Sequence, residues 1–298
     1  MKIQFLNGGL ANQAFQYIFA KYYELSHPGE IMYMDDSYFA LNTVHNGYEL
    51  DKVFGIKAHM LSECFDDEVW GFILDQRRQG KSVPQILCEN GIEMYMISEV
   101  GEGHKTFNPF EGQVVSIPCN QYLPQVLDVE GDVYYHGYWI NKNWFAAYKS
   151  QFLEEFRFPE VKNPNSRAYL EQIQNTKSVS VHIRRGDYVT LGWAIEPELC
   201  QVCIRNFINQ MGGVSGKWTL FVFSDDIAWC KEHQNMLEPE QFKDVVFVEG
   251  NVNGANYLDM LLMSQCKAMI LSNSAFCYLA ALLNVNLQYY INPTQREV

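Results

Sequence analysis

Short apolar runs alternate with helical patterns along the second half of the chain, and that rhythm restricts the folds open to it. Strands are expected at residues 179–183, 218–223, 245–248, 268–271 and 286–291. Between them, apolar residues recur at helical spacing over 197–211, 226–234, 256–265 and 275–283. Strands separated by helices pair in parallel, because each helix carries the chain back across the sheet and covers one face of it. The expected fold class is α/β. The first half opens in the same way, with a strand at 3–6, a Gly8-Gly9 turn, a helix over 12–25 and a strand at 30–34. Residues 40–130 mix aromatic and acidic segments that no period orders. At 298 residues and 48% hydrophobic, the chain has material for two cores. The stretch 152–165, with two prolines and mixed charge, is the expected hinge between domains 1–155 and 156–298.

Charge narrows the partners. There are 22 basic and 35 acidic residues, a net of −13, which argues against nucleic acid or an anionic membrane as the main partner. No run approaches the length of a membrane span, and Asn and Gln interrupt the N-terminal apolar residues. A cytoplasmic protein without a transmembrane segment is expected. The spacing Cys200-Gln201-Val202-Cys203 is that of a redox or zinc pair, but no second pair follows it. Both cysteines share a helical stripe with Ile204, Phe207, Ile208 and Met211, so core packing is the expectation and no metal site is assigned. Arg77-Arg78 with Lys81 reads as a solvated helix face.

The densest chemistry is at His182-Ile183-Arg184-Arg185-Gly186-Asp187-Tyr188-Val189, just past the expected strand at 179–183. Ligands of open α/β sheets bind at that edge. Two adjacent guanidinium groups can grip phosphate oxygens in pairs, and Gly186 lets the backbone turn close to an anion. Asp187 either fixes an arginine, with Arg185 the expected partner, or receives a proton. A surface ion-pair cluster is the plain alternative. Three more strand ends carry polar groups: Gly8-Gly9-Leu10-Ala11-Asn12-Gln13, Ser224-Asp225-Asp226 and Ser272-Asn273-Ser274-Ala275-Phe276. Each suits helix capping as well as anion binding. The first lacks the third glycine of a dinucleotide fingerprint, which disfavours an NAD-dependent oxidoreductase.

In this order the blocks resemble those of the bacterial α-1,2-fucosyltransferases of glycosyltransferase family 11. The family's N-terminal block stands here as residues 8–17 with Ala11 in place of glycine and Ala14 in place of Met. Its His-x-Arg-Arg-Gly-Asp-Tyr block matches residues 182–188 throughout. Ser224-Asp225-Asp226 and residues 272–276 match two later blocks, and Gly137-Tyr138-Trp139 a fifth, with Ile140 in place of Gln. Ala11 is expected to stiffen the first loop and Ile140 to remove a polar contact to sugar. A longer C-terminal element of some relatives is expected to be absent.

The resemblance implies a GT-B-like architecture of two Rossmann-like domains facing a cleft, the C-terminal one holding the nucleotide sugar and the N-terminal one on the acceptor side. It implies inverting transfer of L-fucose from GDP-fucose to the 2-hydroxyl of a terminal β-galactoside. The partners are then the donor and a galactose-terminated glycan, with no cofactor. The chain has no Asp-x-Asp triplet, and arginine charge in place of a divalent ion is consistent with that. Catalytic roles fall to Arg184, Arg185 and Asp187. Donor binding falls to Gly9, Asn12, Gln13, His182, Arg184, Asp225, Asp226, Ser272, Asn273, Ser274 and Phe276, with Asp225 or Asp226 reading the guanine edge. Asp187 is the expected base and His182 its rival. Another GDP-sugar, another linkage, or a binder without turnover are the competing readings.

Overall fold

A computed structural model describes residues 1–43, 46–100, 114–214 and 216–294. The chain divides into two compact units, Met1–Arg157 and Phe158–Val298. Each is a Rossmann-like layer of five parallel strands with helices, so the α/β, GT-B-like class holds for both units.

In the N-terminal unit the strands are β1 (Lys2–Phe5), β2 (Met32–Asp35), β3 (Tyr95–Val100), β4 (Val114–Pro118) and β5 (Val133–His136), in the order β2-β1-β5-β3-β4. The helix after β1 spans Leu10–Ser26 and begins two residues before its apolar pattern does, because Gly8 (φ +78°) makes the turn and Gly9 caps the helix. Ala11 therefore lies in the helix's first turn, buried, and stiffens no loop. Both faces of this helix are buried; Phe19 stacks on Trp139 with ring centroids 4.0 Å apart. Burying a side chain of that size contributes roughly 1.5–3 kcal/mol.

The middle segment, unordered by pattern, supplies β3, β4 and two helices. The helix Asp67–Arg78 follows capping rules: the Asp66 side chain accepts from Val69 N, Asp67 and Glu68 occupy the first turn, and Arg77 and Arg78 the last. Arg77 is not solvated as expected. It is half-buried and donates to Ser37 Oγ (3.2 Å) and the Lys81 carbonyl (3.1 Å).

In the C-terminal unit the strands are β6 (Lys177–Ile183), β7 (Trp218–Ser224), β8 (Asp244–Phe247), β9 (Ala268–Ile270) and β10 (Tyr289–Ile291), in the order β10-β9-β6-β7-β8. The expected alternation holds, with helices at Pro197–Gln210, Ile227–Glu232, Tyr257–Ser264 and Ala275–Leu282. β10 is shorter than its apolar run, because Asn286 N donates to Asn284 Oδ1 (2.9 Å) and forms a turn where the strand was expected to start. Cys200 and Cys203 pack with Ile204 and Phe207 against β6 and β7 residues, as core. Among the described residues, no helix is long and apolar enough to cross a membrane.

Candidate functional site

The strand order fixes where a ligand can enter. From β6 the chain proceeds to β7 and β8 on one side, whereas from β9 it proceeds to β10 on the other. Loops that leave neighbouring strands in opposite directions open a crevice at the carboxyl end of the sheet, and open α/β sheets bind ligands there. The loop after β6 is the double-arginine block, and the loop after β9 is Ser272-Asn273-Ser274. The two blocks therefore flank the same crevice.

One carboxylate organises the first loop. Asp225, just past β7, accepts from the backbone N–H of Arg185 (2.8 Å) through one oxygen and faces the Arg184 guanidinium (2.9 Å) through the other. A Cβ at Gly186 would stand 2.5 Å from that second oxygen, so only glycine fits. The anion beside Gly186 is thus the protein's own. Arg184 also pairs with Asp187 (2.7 Å) and lies 5.4 Å over the Tyr188 ring. The expected pairing of Asp187 with Arg185 is corrected accordingly: Arg184, just before the N-cap Arg185 of helix Gly186–Leu191, reaches forward to Asp187 in the helix's first turn.

Arg185 turns the other way. Its guanidinium stacks 3.6 Å from the Trp229 ring, and Nε stands 3.5 Å from Asp226 with no hydrogen-bond partner among the described residues. Asp226 also caps the next helix by accepting from Trp229 N (3.1 Å). Both aspartates expected to read a guanine edge are thus engaged with the arginines, and Asp226 with a helix end. Arg184, with a third of its side chain exposed against 17% for Arg185, is the more accessible of the two cations.

The second loop is joined to the first through His182. Its Nδ1 lies 2.8 Å from Ser272 Oγ, and its ring is 5.9 Å from Phe276. Burial, reinforced by the nearby Arg184 charge, lowers the imidazole pKa to about 3. Buried and tied to Ser272, His182 joins β6 to the β9 loop. Ser274 caps the helix Ala275–Leu282 by accepting from Phe276 N (3.3 Å). Asn273 Nδ2 donates to the Trp193 carbonyl (2.7 Å).

The N-terminal unit builds its own crevice. β5 is inserted between β1 and β3, whose onward connections leave in opposite directions. Gly9 and Asn12 lie past β1, with Asn12 half-buried against Gly8. Gln13 is fully buried; its amide donates to the carbonyls of Gly8 and Gly47 (both 2.9 Å), and its oxygen accepts from Glu49 N (2.8 Å). That occupies the whole side chain, so Gln13 is scaffold rather than a donor contact. Glu99, in β3, accepts from the N–H groups of Tyr138 and Trp139 just past β5 (both 2.8 Å) and of Asn120 (2.9 Å), and a Cβ at Gly137 would fall 2.7 Å from it. Ile140 is buried, so its position offers no polar contact at the surface.

Sequence reasoning missed Trp229 and Glu99. Trp229 falls three residues after a capping Asp226, a position that presents a ring to the preceding loop. Glu99 carried no sequence signal, because its role depends on pairing between β3 and β5.

A sequence model of glycosyl transferase family 11 matches residues 124–297. An alpha-1,2-colitosyltransferase of Escherichia coli is 32% identical over 97% of this chain and 90% of its own length. Mouse galactoside alpha-(1,2)-fucosyltransferase 2 is 26% identical over 51% of this chain and 44% of its own. Among solved structures, the fucosyltransferase NodZ from Bradyrhizobium superposes with a TM-score of 0.51 at 15% identity, covering 95% of this chain and 92% of that one; this shows a shared fold.

The His182 assignment has a signature in stability. Its folded pKa of about 3 lies below the free value of 6.5, so the unfolded chain binds a proton that the native ring refuses. Its contribution is therefore present above about pH 6.5 and is lost as pH falls towards 3. Half-buried Asp259, pushed up to about 7 by burial, acts in the opposite sense. Because Asp259 is common to both proteins, comparing wild type with His182→Gln isolates the histidine. The melting temperature of the variant should fall less steeply than that of wild type between about pH 7 and pH 4; parallel profiles contradict the assignment.

Proposed function

The chain belongs to glycosyl transferase family 11, and from that premise we propose that it moves L-fucose from GDP-fucose to the 2-hydroxyl of a terminal β-galactoside. The observation that carries this reading is the arginine pair held by carboxylates at the crevice between β6 and β9. Glycosyl transfer from a nucleotide diphosphate donor builds charge on the leaving phosphate while the sugar takes oxocarbenium character. Fixed cations aimed at that charge lower the barrier without reorganising during the reaction.

In the proposed step the acceptor oxygen bonds to the anomeric carbon from the face opposite the diphosphate. The bond from that carbon to the β-phosphate oxygen breaks, its electron pair leaves with GDP, and the acceptor's hydroxyl proton passes to the carboxylate of Asp187, exposed beside Arg184. Inversion of a β-linked donor gives an α-1,2 product. Arg184 meets the β-phosphate. Arg185, clamped on Trp229, adds positive potential and holds the loop. The amides and hydroxyls of Ser272, Asn273 and Ser274 border the same crevice. Asp187, Asp225 and Asp226 position the arginines. Gly9 and Asn12, in the N-terminal unit, remain candidates for the sugar side.

A second reading has specific support. The 32%-identical relative is a colitosyltransferase, and colitose is L-fucose without its 3-hydroxyl. Equal supplies of GDP-fucose and GDP-colitose, offered with a β-galactoside and followed by linkage analysis of the product, decide between them. A 1→2 fucosyl product from preferred GDP-fucose supports the first reading; a preferred GDP-colitose replaces it. UDP-sugars used as readily as GDP-sugars would overturn both.

Two outcomes follow from the arginine assignment. Lysine keeps the charge of Arg184 but loses its fork, so Arg184→Lys should fold normally and lose on the order of 100- to 1000-fold in kcat. Donor affinity should fall less, because the contact strengthens as the bond breaks. A near-normal kcat sinks the assignment. Turnover should also persist in EDTA, since fixed arginine charge supplies what a divalent ion otherwise would; complete loss restored by Mn²⁺ or Mg²⁺ contradicts that.

A further inference from the structure

Trp193 follows the helix Gly186–Leu191 beside the crevice, where Val189 and Leu191 are exposed as well. Trp193 is 43% exposed. Both crevice loops fix its backbone: Trp193 N donates to the Tyr188 carbonyl (2.8 Å), and its own carbonyl accepts from Asn273 Nδ2 (2.7 Å). Its ring stands edge-on to Tyr188, 5.6 Å between centroids at 86°, and the Arg184 guanidinium lies over that same tyrosine. The chain therefore holds an aromatic face two ring contacts from the cation assigned to the leaving phosphate.

We infer that Trp193 is the stacking face for the acceptor's terminal galactose and selects galactose over its 4-epimer, glucose. This rests on the galactoside transfer proposed above. The axial 4-hydroxyl of galactose leaves the C–H bonds at carbons 3, 4 and 5 together on the opposite face, a flat apolar patch. That patch fits the electron-rich face of an indole. In glucose the equatorial 4-hydroxyl turns the carbon-4 hydrogen to the other face and breaks the patch. The hydroxyls of a stacked galactose then point to a rim bordered by Arg184 and Asp187, which are 33% and 53% exposed.

The nucleobase is the other flat group in the reaction, and GDP affinity measured beside acceptor kinetics separates the two occupants. The 43% exposure of Trp193 suits a ligand that enters and leaves at each turnover.

The test is acceptor kinetics in Trp193→Ala, Trp193→Leu and Trp193→Phe, with GDP affinity by calorimetry and melting temperature measured beside them. In Ala and Leu the acceptor KM should rise about tenfold or more, with GDP affinity within about twofold of wild type. The preference for galactosides over glucosides should shrink with it, and Phe should recover most of the loss. The Leu variant keeps most of the volume, so the reading survives if Ala disturbs folding. An active wild type with an indifferent Leu variant overturns this inference alone, as does GDP affinity falling by the same factor as acceptor affinity. A lipid or protein partner on this surface, where Val189 and Leu191 are also exposed, would leave acceptor KM unchanged and so counts against it. A wild type inactive on every galactoside overturns the proposed function, and this inference with it.

Discussion

The contact between Asp225 and the loop after β6 governs what the C-terminal unit can do. Two neighbouring guanidinium groups repel each other, and a loop that carries them keeps no single shape without counter-charge. Asp225 supplies that charge and a geometric constraint together: one oxygen takes the Arg185 amide, the other the Arg184 guanidinium, and the space left admits no side chain at Gly186. Asp226 and Trp229 then hold Arg185 to the other side. The loop is shaped before any ligand arrives, which is the condition for electrostatic catalysis at low reorganisation cost.

The N-terminal unit reaches rigidity with different chemistry. There the buried amides of Gln4, Gln13 and Gln16 and the carboxylate of Glu99 satisfy backbone groups around the ends of β1 and β5. Gln4 joins the Gly137 carbonyl to the indole N–H of Trp139. An unpaired buried polar group costs about 1–3 kcal/mol, so each of these side chains is tightly specified by its partners. Amides and one carboxylate hold this unit, whereas the loop after β6 sets carboxylates against arginines.

Much of the C-terminal unit was legible in the sequence, because its central strands β6, β7 and β9 are buried along nearly their whole length and their apolar residues stand out between helical periods. The order of strands was not, and with it went the reason why residues 182–188 and 272–276 share a crevice. The middle segment resisted because β3 carries Ser98 and Glu99 and β4 is a partly exposed edge strand, so neither shows a clean period. At the site, residue types were legible but partners were not. Asp187 near Arg185 in sequence gave no hint that Arg185 turns to Trp229 and leaves Asp187 to Arg184. Gln13 looked like a ligand group because sequence alone does not show that its hydrogen-bonding capacity is filled.

The central claim is that Asp225 serves the reaction by aiming arginines and not by reading a base. Calorimetric titration of Asp225→Asn with GDP and, separately, with inorganic pyrophosphate tests it most directly. Asparagine keeps the shape and can still accept from the Arg185 amide, but it removes the counter-charge. If the carboxylate positions Arg184, affinity for both ligands falls by a similar factor, since both present a diphosphate to the same guanidinium. If GDP binding is lost while pyrophosphate binds as in wild type, Asp225 reads guanine and the account is wrong.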